Sequence, residues 1–121
     1  HPADFEEVFV NYATNRRRRD LYEGLILAAI SLKAAGCSAI YLDGSFVTDK
    51  PKPGDYDACF DIVGVNGAAL DPVFRDFDNG RSAQKSKYGG EFFQNDRFTG
   101  HQKGVLKISL QNDPVLLRRT K

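Results

Sequence analysis

The chain has 121 residues, 17 Lys and Arg against 16 Asp and Glu (net charge +1), and 41% hydrophobic residues. That is the length of one domain able to bury a core without disulfide staples, too apolar for intrinsic disorder and too evenly charged to coat a polyanion. No apolar run approaches the roughly 20 residues of a membrane span, and two Cys with two scattered His argue against zinc, haem and iron–sulfur chemistry.

Cys37 and Cys59 both sit beside apolar residues and read as buried free thiols in a reducing, cytoplasmic setting, with a single disulfide between them as the open alternative. The start at His1, without methionine or signal-peptide pattern, reads as trimmed.

Asp4, Glu6 and Glu7 after Pro2 predict a short helix with Phe5, Val8, Phe9 and Tyr12 on one face. Thr14 or Asn15 can cap a second helix over residues 16–35, in which Leu21, Leu25, Ala28, Ala29 and Leu32 recur at helical spacing and Gly36 supplies a left-handed end. Arg16 to Arg19 oppose the dipole of that helix. They read as a solvated face whose stems cover apolar surface, with phosphate or nucleic-acid contact as the functional alternative.

Residues 39–42 then form a strand, Asp43-Gly44-Ser45 the turn leaving it, and residues 50–54 a proline-rich loop. Residues 55–63 alternate as a strand, and residues 66–77 predict a short helix capped by Asn66. Residues 79–90, polar and glycine-rich, read as a loop. Residues 91–94 and 104–110 read as two strands joined in a hairpin through Asp96, Arg97, Thr99 and Gly100. The order implies one α/β (α+β) domain, with helices packed on a small mixed sheet.

The chemistry concentrates between Leu42 and Ile62. Asp55 and Asp57 stand two residues apart, so on a strand their carboxylates share a face. Two such acids repel unless a cation sits between them, and Mg²⁺ favours carboxylate oxygens together with substrate phosphate. Gly44-Ser45 lets backbone amides approach an anion. Acid pair and Gly-Ser turn together point to phosphoryl or nucleotidyl transfer.

Gly44-Ser45, nine residues, then Asp55-x-Asp57 resembles the signature of the DNA polymerase β-like nucleotidyltransferase superfamily. The stretch 42–48, with Lys50, Pro53 and Asp55, more narrowly resembles a small uncharacterised bacterial group of minimal nucleotidyltransferase-like proteins. Asn79-Gly80-Arg81, Gln84-Lys85, Gly89-Gly90-Glu91, Phe92-Phe93-Gln94 and Lys103-Gly104 extend the resemblance from Arg17 to Leu110. One departure is that Glu91 abuts Phe92, where that group carries a longer segment between them.

The resemblance implies a single minimal nucleotidyltransferase-like domain over residues 1–121, with Asp55 and Asp57 holding Mg²⁺ on a nucleoside triphosphate and Gly44 and Ser45 touching its phosphates. A third carboxylate would activate the attacking hydroxyl. No third acid is obvious, since Lys107 occupies a strand where an acid could have stood; Glu91, beginning its own strand after Gly89-Gly90, is the first candidate, followed by Asp96 and Asp61. Asp61 shares the face but lies four strand residues, roughly 13 Å, from Asp57. Read from the residues alone, Arg81, Gln84, Lys85 and Lys87 form a basic, polar cluster that is either a solvated loop or, functionally, the source of Arg81 or Lys85 to neutralise the leaving pyrophosphate.

Phe92 and Phe93 read as core rather than as a base-stacking platform, and His101 has no assigned role. The resemblance further implies a protein, RNA or small-molecule acceptor and a toxin–antitoxin or defence setting with an antitoxin-like partner. The alternatives are a non-catalytic nucleotide- or partner-binding module and, more weakly, an RNA-binding domain using Arg16 to Arg19.

Overall fold

The computed structural model describes residues 2–43, 46, 48, 54–95 and 106–120. In chain order these form β1 (Pro2–Ala3), α1 (Phe5–Tyr12), α2 (Arg16–Ala34), β2 (Ala39–Asp43), β3 (Tyr56–Asp61), α3 (Asp78–Tyr88), β4 (Gly90–Asn95), β5 (Leu106–Ser109) and α4 (Pro114–Arg119). A short 3-10 turn, Pro72–Arg75, precedes α3. The strands make one mixed sheet in the order β1-β5-β2-β3-β4, parallel at β1/β5 and β3/β4 and antiparallel elsewhere. The expected α+β class is the one found. No helix of the described residues is long and apolar enough to cross a membrane.

Local chemistry sets the helix starts. The Asp4 carboxylate accepts the Glu7 amide at the head of α1, and the Asn15 side chain accepts the Arg18 amide at the head of α2. The Asp113 carboxylate accepts the Val115 and Leu116 amides of α4, with Pro114 in the first turn. Helix α2 ends at Gly36, whose φ of 95° is the left-handed conformation expected there.

Burial along β3 alternates strictly. Tyr56, Ala58 and Phe60 are buried under the helices, while Asp57, Cys59 and Asp61 point to the opposite face. Leu21, Leu25, Ala28, Ala29 and Leu32 of α2 join Ile40, Leu42, Leu106 and Ile108 of the sheet in one core. Tyr56, Phe74, Tyr88 and Phe92 extend that core by edge and stacked ring contacts. Each such fully buried side chain contributes roughly 1.5–3 kcal/mol.

Several local expectations are corrected. Residues 79–90 are not a loop throughout: after a left-handed stretch at Asn79, Gly80 and Arg81 they form the helical part of α3, whose last turn closes on Gly89 at φ 84°. Its polarity reflects a helix lying over a sheet edge and burying only Gln84 and Tyr88. The helix expected over residues 66–77 shrinks to a turn capped by Asn66 and the 3-10 turn. Strands β4 and β5 do not make a hairpin. β4 pairs in parallel with β3, which requires the α3 crossover, while β5 crosses to the far side of β2. Strand β1 and helix α4 were not expected, being two and six residues long. Both thiols are free, Cys37 buried as expected and Cys59 only half-buried on the opposite face of β3, and burial raises the pKa of each.

Arg16 to Arg19 likewise divide by role. Arg18 is 2% exposed and donates to the Tyr12 carbonyl at 3.2 Å and to the Phe46 and Thr48 carbonyls at 2.6 Å each. Arg17 donates to the Gly54 carbonyl. These two arginines tie the β2–β3 connection to α2, while Arg16 and Arg19 are exposed.

Candidate functional site

Strand register assembles the site. Asp43 of β2 lies opposite Asp57 of β3, and Asp57 lies opposite Glu91 of β4, so three carboxylates form one row on the face away from the helical core. Cross-strand neighbours of this kind stand roughly 5 Å apart at Cβ, close enough for like charges to repel. Asp55 immediately precedes β3 and adds a fourth acid. Partial burial pushes the Asp57 carboxyl above its ordinary value, and the charges of Asp55, Glu91 and Asp43 add to the rise; Lys85 opposes it.

Lys85 reaches the acids from α3. Its Nζ stands 3.0 Å from Glu91 Oε1 and 3.9 Å from Asp55 Oδ2, and the hydrogen bond to Glu91 raises its pKa. Glycine geometry fixes that placement. A Cβ on Gly24 of α2 would fall 2.1 Å from the Tyr88 carbonyl, and one on Gly90 would fall 2.3 Å from the Tyr56 ring. Both positions therefore need glycine for α3 and β4 to sit this close. Tyr56 Oη, buried, donates to the Tyr88 carbonyl at 2.8 Å. The fully buried Gln84 accepts the Phe92 amide at 2.7 Å and donates to the Val73 carbonyl at 3.1 Å.

Of the expected residues, Asp55, Asp57, Glu91 and Lys85 come together. Gly44, Ser45, Asp96 and His101 lie outside the described residues. Asp61 shares the Asp57 face but accepts the Val63 amide at 2.9 Å, as a turn residue does. Lys107 lies on β5 opposite Tyr41. Arg81 makes no ion pair with the acids among the described residues: its Nε donates to the Phe92 carbonyl at 3.2 Å, and its guanidinium packs 4.0 Å from the Phe93 centroid and 4.7 Å from that of Phe77. Phe92 is core, as expected, whereas Phe93 is half-buried on the acid face.

Asp43 was missed as a site residue. Its only sequence signal is an acid directly before Gly44-Ser45, and its place in the row depends on pairing with Asp57.

The donors in this row are hard oxygens, the set Mg²⁺ prefers. Among the described residues no three His, Cys, Asp or Glu side chains already stand close enough to hold one ion. The ammonium of Lys85 lies between two of the acids instead. A groove of about 300 Å³ lined by Glu6, Phe9, Tyr22, Val115, Arg118 and Arg119 opens among α1, α2 and α4, on the other side of the sheet.

Residues 1–109 match DUF6932, a family of unknown function, and the chain belongs to it. No curated protein and no solved structure matches the chain.

Proposed function

We propose that this member of DUF6932 is a magnesium-dependent nucleotidyltransferase, moving a nucleoside monophosphate from a nucleoside triphosphate onto a hydroxyl. The observation that carries the reading is the registered row Asp43–Asp57–Glu91, with Asp55 beside it and Gly44-Ser45 next in the chain after Asp43. Asp55 and Asp57 would hold Mg²⁺, which when bound supplies charge neutralisation at the triphosphate. Glu91 would accept the proton of the acceptor hydroxyl as its oxygen bonds to the α-phosphorus. The bond from that phosphorus to the bridging oxygen breaks, and pyrophosphate leaves with the electron pair. Lys85, released from Glu91, would neutralise the charge on that leaving group. A protein or RNA acceptor, a toxin–antitoxin setting and a cytoplasmic location belong to the same reading.

The test is Mg²⁺-dependent release of pyrophosphate from each nucleoside triphosphate, with α-labelled nucleotide followed into product. Asp55→Asn and Asp57→Asn should abolish turnover with unchanged circular dichroism, and Glu91→Gln should slow it by about 10²-fold or more, the scale of lost general-base catalysis. Wild-type turnover in Asp57→Asn would sink the reading.

One observation favours a second reading, a nucleotide- or partner-binding module without transfer. Lys85 already neutralises part of the acid row. That reading expects saturable nucleotide binding and no pyrophosphate at any enzyme concentration.

A further inference from the structure

Arg81 differs from Lys85 in what its charge is doing. Lys85 is held by carboxylates, whereas Arg81 uses one of its five N–H groups, on the Phe92 carbonyl, and has no carboxylate partner among the described residues. Its guanidinium is nonetheless held by two rings, 4.7 Å from the Phe77 centroid and 4.0 Å from that of Phe93. The backbone there is unusual as well: Asn79, Gly80 and Arg81 are successively left-handed, with φ of 53°, 62° and 62°, and two of the three are not glycine. Such conformations persist where surrounding contacts over-determine them.

A cation positioned in advance, with further N–H donors that have no partner among the described residues, is built to receive an oxyanion in two-point contact. Phe77, 47% exposed, offers an aromatic surface beside it. Glu91 and Phe93 lie two residues apart on one face of β4, so this seat is roughly 7 Å along the strand from the acid row.

We infer that Arg81 and Phe77 form a second nucleotide seat, the guanidinium taking a phosphate and the exposed ring stacking the base. This rests on the transfer reading only in making that nucleotide the acceptor, free or as the terminal unit of an RNA strand. The incoming triphosphate belongs to the acid row. Paired stacking and phosphate contact is the usual chemistry of single-stranded nucleotide capture.

The experiment titrates the whole chain, in EDTA, with AMP, a short oligoadenylate, adenosine, inorganic phosphate and phenyl phosphate, following amide shifts by NMR. AMP should bind saturably and more tightly than inorganic phosphate or adenosine. Arg81→Lys, which keeps charge but not the planar fork, should weaken AMP at least tenfold. Phe77→Ala, at an exposed position, should weaken AMP and leave inorganic phosphate unchanged, which keeps the test decisive if the Arg81 variant fails to fold. Tighter oligoadenylate than AMP assigns the seat to an RNA end, and equal affinity assigns it to a free nucleotide.

No AMP binding, AMP binding indifferent to both substitutions, or phenyl phosphate binding as tightly as AMP would each overturn the inference. Repeating the titration in Asp57→Asn separates the two ideas. AMP binding that survives there while wild type shows no transfer retains the seat and removes the enzyme.

Discussion

Asp57 is half-buried, with Asp43 and Glu91 registered on its two sides and Asp55 two residues back, and burial followed by these charges raises its pKa above 3.8. An acid whose folded pKa exceeds its unfolded one favours folding while protonated, below the unfolded value, and loses that contribution as pH rises through the folded value. At neutral pH and without metal, the ionised Asp57 therefore destabilises the chain. Asp57→Asn should raise Tm at pH 7 in EDTA, and the gain should vanish as pH falls below about 4; a lower Tm at pH 7 would contradict this account of the row. Lys85 carries the opposite sign. Its hydrogen bond to Glu91 raises its pKa, so its contribution is present at neutral pH and is lost as pH climbs through the raised value. Lys85→Ala should lower Tm at pH 7, and by less when Asp57 is already Asn, a coupling that a double-mutant cycle reads directly.

Helix α3 owes its position to contacts that run against ordinary propensity. Glycine inside a helix costs about 1 kcal/mol relative to alanine, so Gly24→Ala in α2 would stabilise an isolated helix. Here the added methyl would meet the Tyr88 carbonyl at 2.1 Å. The clash is with backbone, which cannot swing aside, so Gly24→Ala should destabilise by about 1–3 kcal/mol, as overpacking does. Urea unfolding with a midpoint at or above wild type would refute this packing account. Asp113, 3% exposed, is the comparable device for α4: one oxygen caps the helix and the other accepts the Phe5 amide of α1 at 3.0 Å. Asp113→Ala should cost about 2–4 kcal/mol, a cap plus an orphaned buried donor, and a loss below about 1 kcal/mol would show that water replaces it. These elements also mark where local sequence signals stop. Helix α2 is legible because its apolar spacing, Asn15 cap and Gly36 end all agree. Helix α3 is not, because it buries only two side chains and opens with a left-handed turn at Asn79–Arg81 that reads as loop. The hairpin signal between β4 and β5 was a property of the connecting residues, while the pairing was decided by where the buried faces of Phe92 and Ile108 had to go.

Across the whole molecule, the acid pair was legible from its two-residue spacing, whereas the row was not, because Asp43, Asp57 and Glu91 meet only through the registers of two strand pairs. Glu91 was named from the glycines before it, and the register places it directly opposite Asp57. The role of Arg18 was hidden for a different reason: four consecutive arginines carry no mark of which one turns inward. Its guanidinium gathers the carbonyls of Tyr12, Phe46 and Thr48, joining the end of α1 to the segment that follows Gly44-Ser45 in the chain. Hydrogen bonds from a charged donor contribute about 1.5–3 kcal/mol each, so Arg18→Met, which keeps the apolar stem, should cost about 3–5 kcal/mol once partial relaxation is allowed. Arg18→Lys keeps the charge but cannot span three carbonyls with one ammonium. If Gly44-Ser45 seats phosphate, loosening the segment just after it should weaken triphosphate binding by about tenfold, while the contact between Lys85 and Glu91, on the far side of β3, stays in place. Calorimetric titration of a nucleoside triphosphate with Mg²⁺ into Arg18→Lys measures this. Wild-type affinity together with wild-type Tm would show that the clasp neither supports the fold nor shapes the site. Wild-type affinity with a lowered Tm would confine Arg18 to folding and remove phosphate binding from the β2–β3 connection.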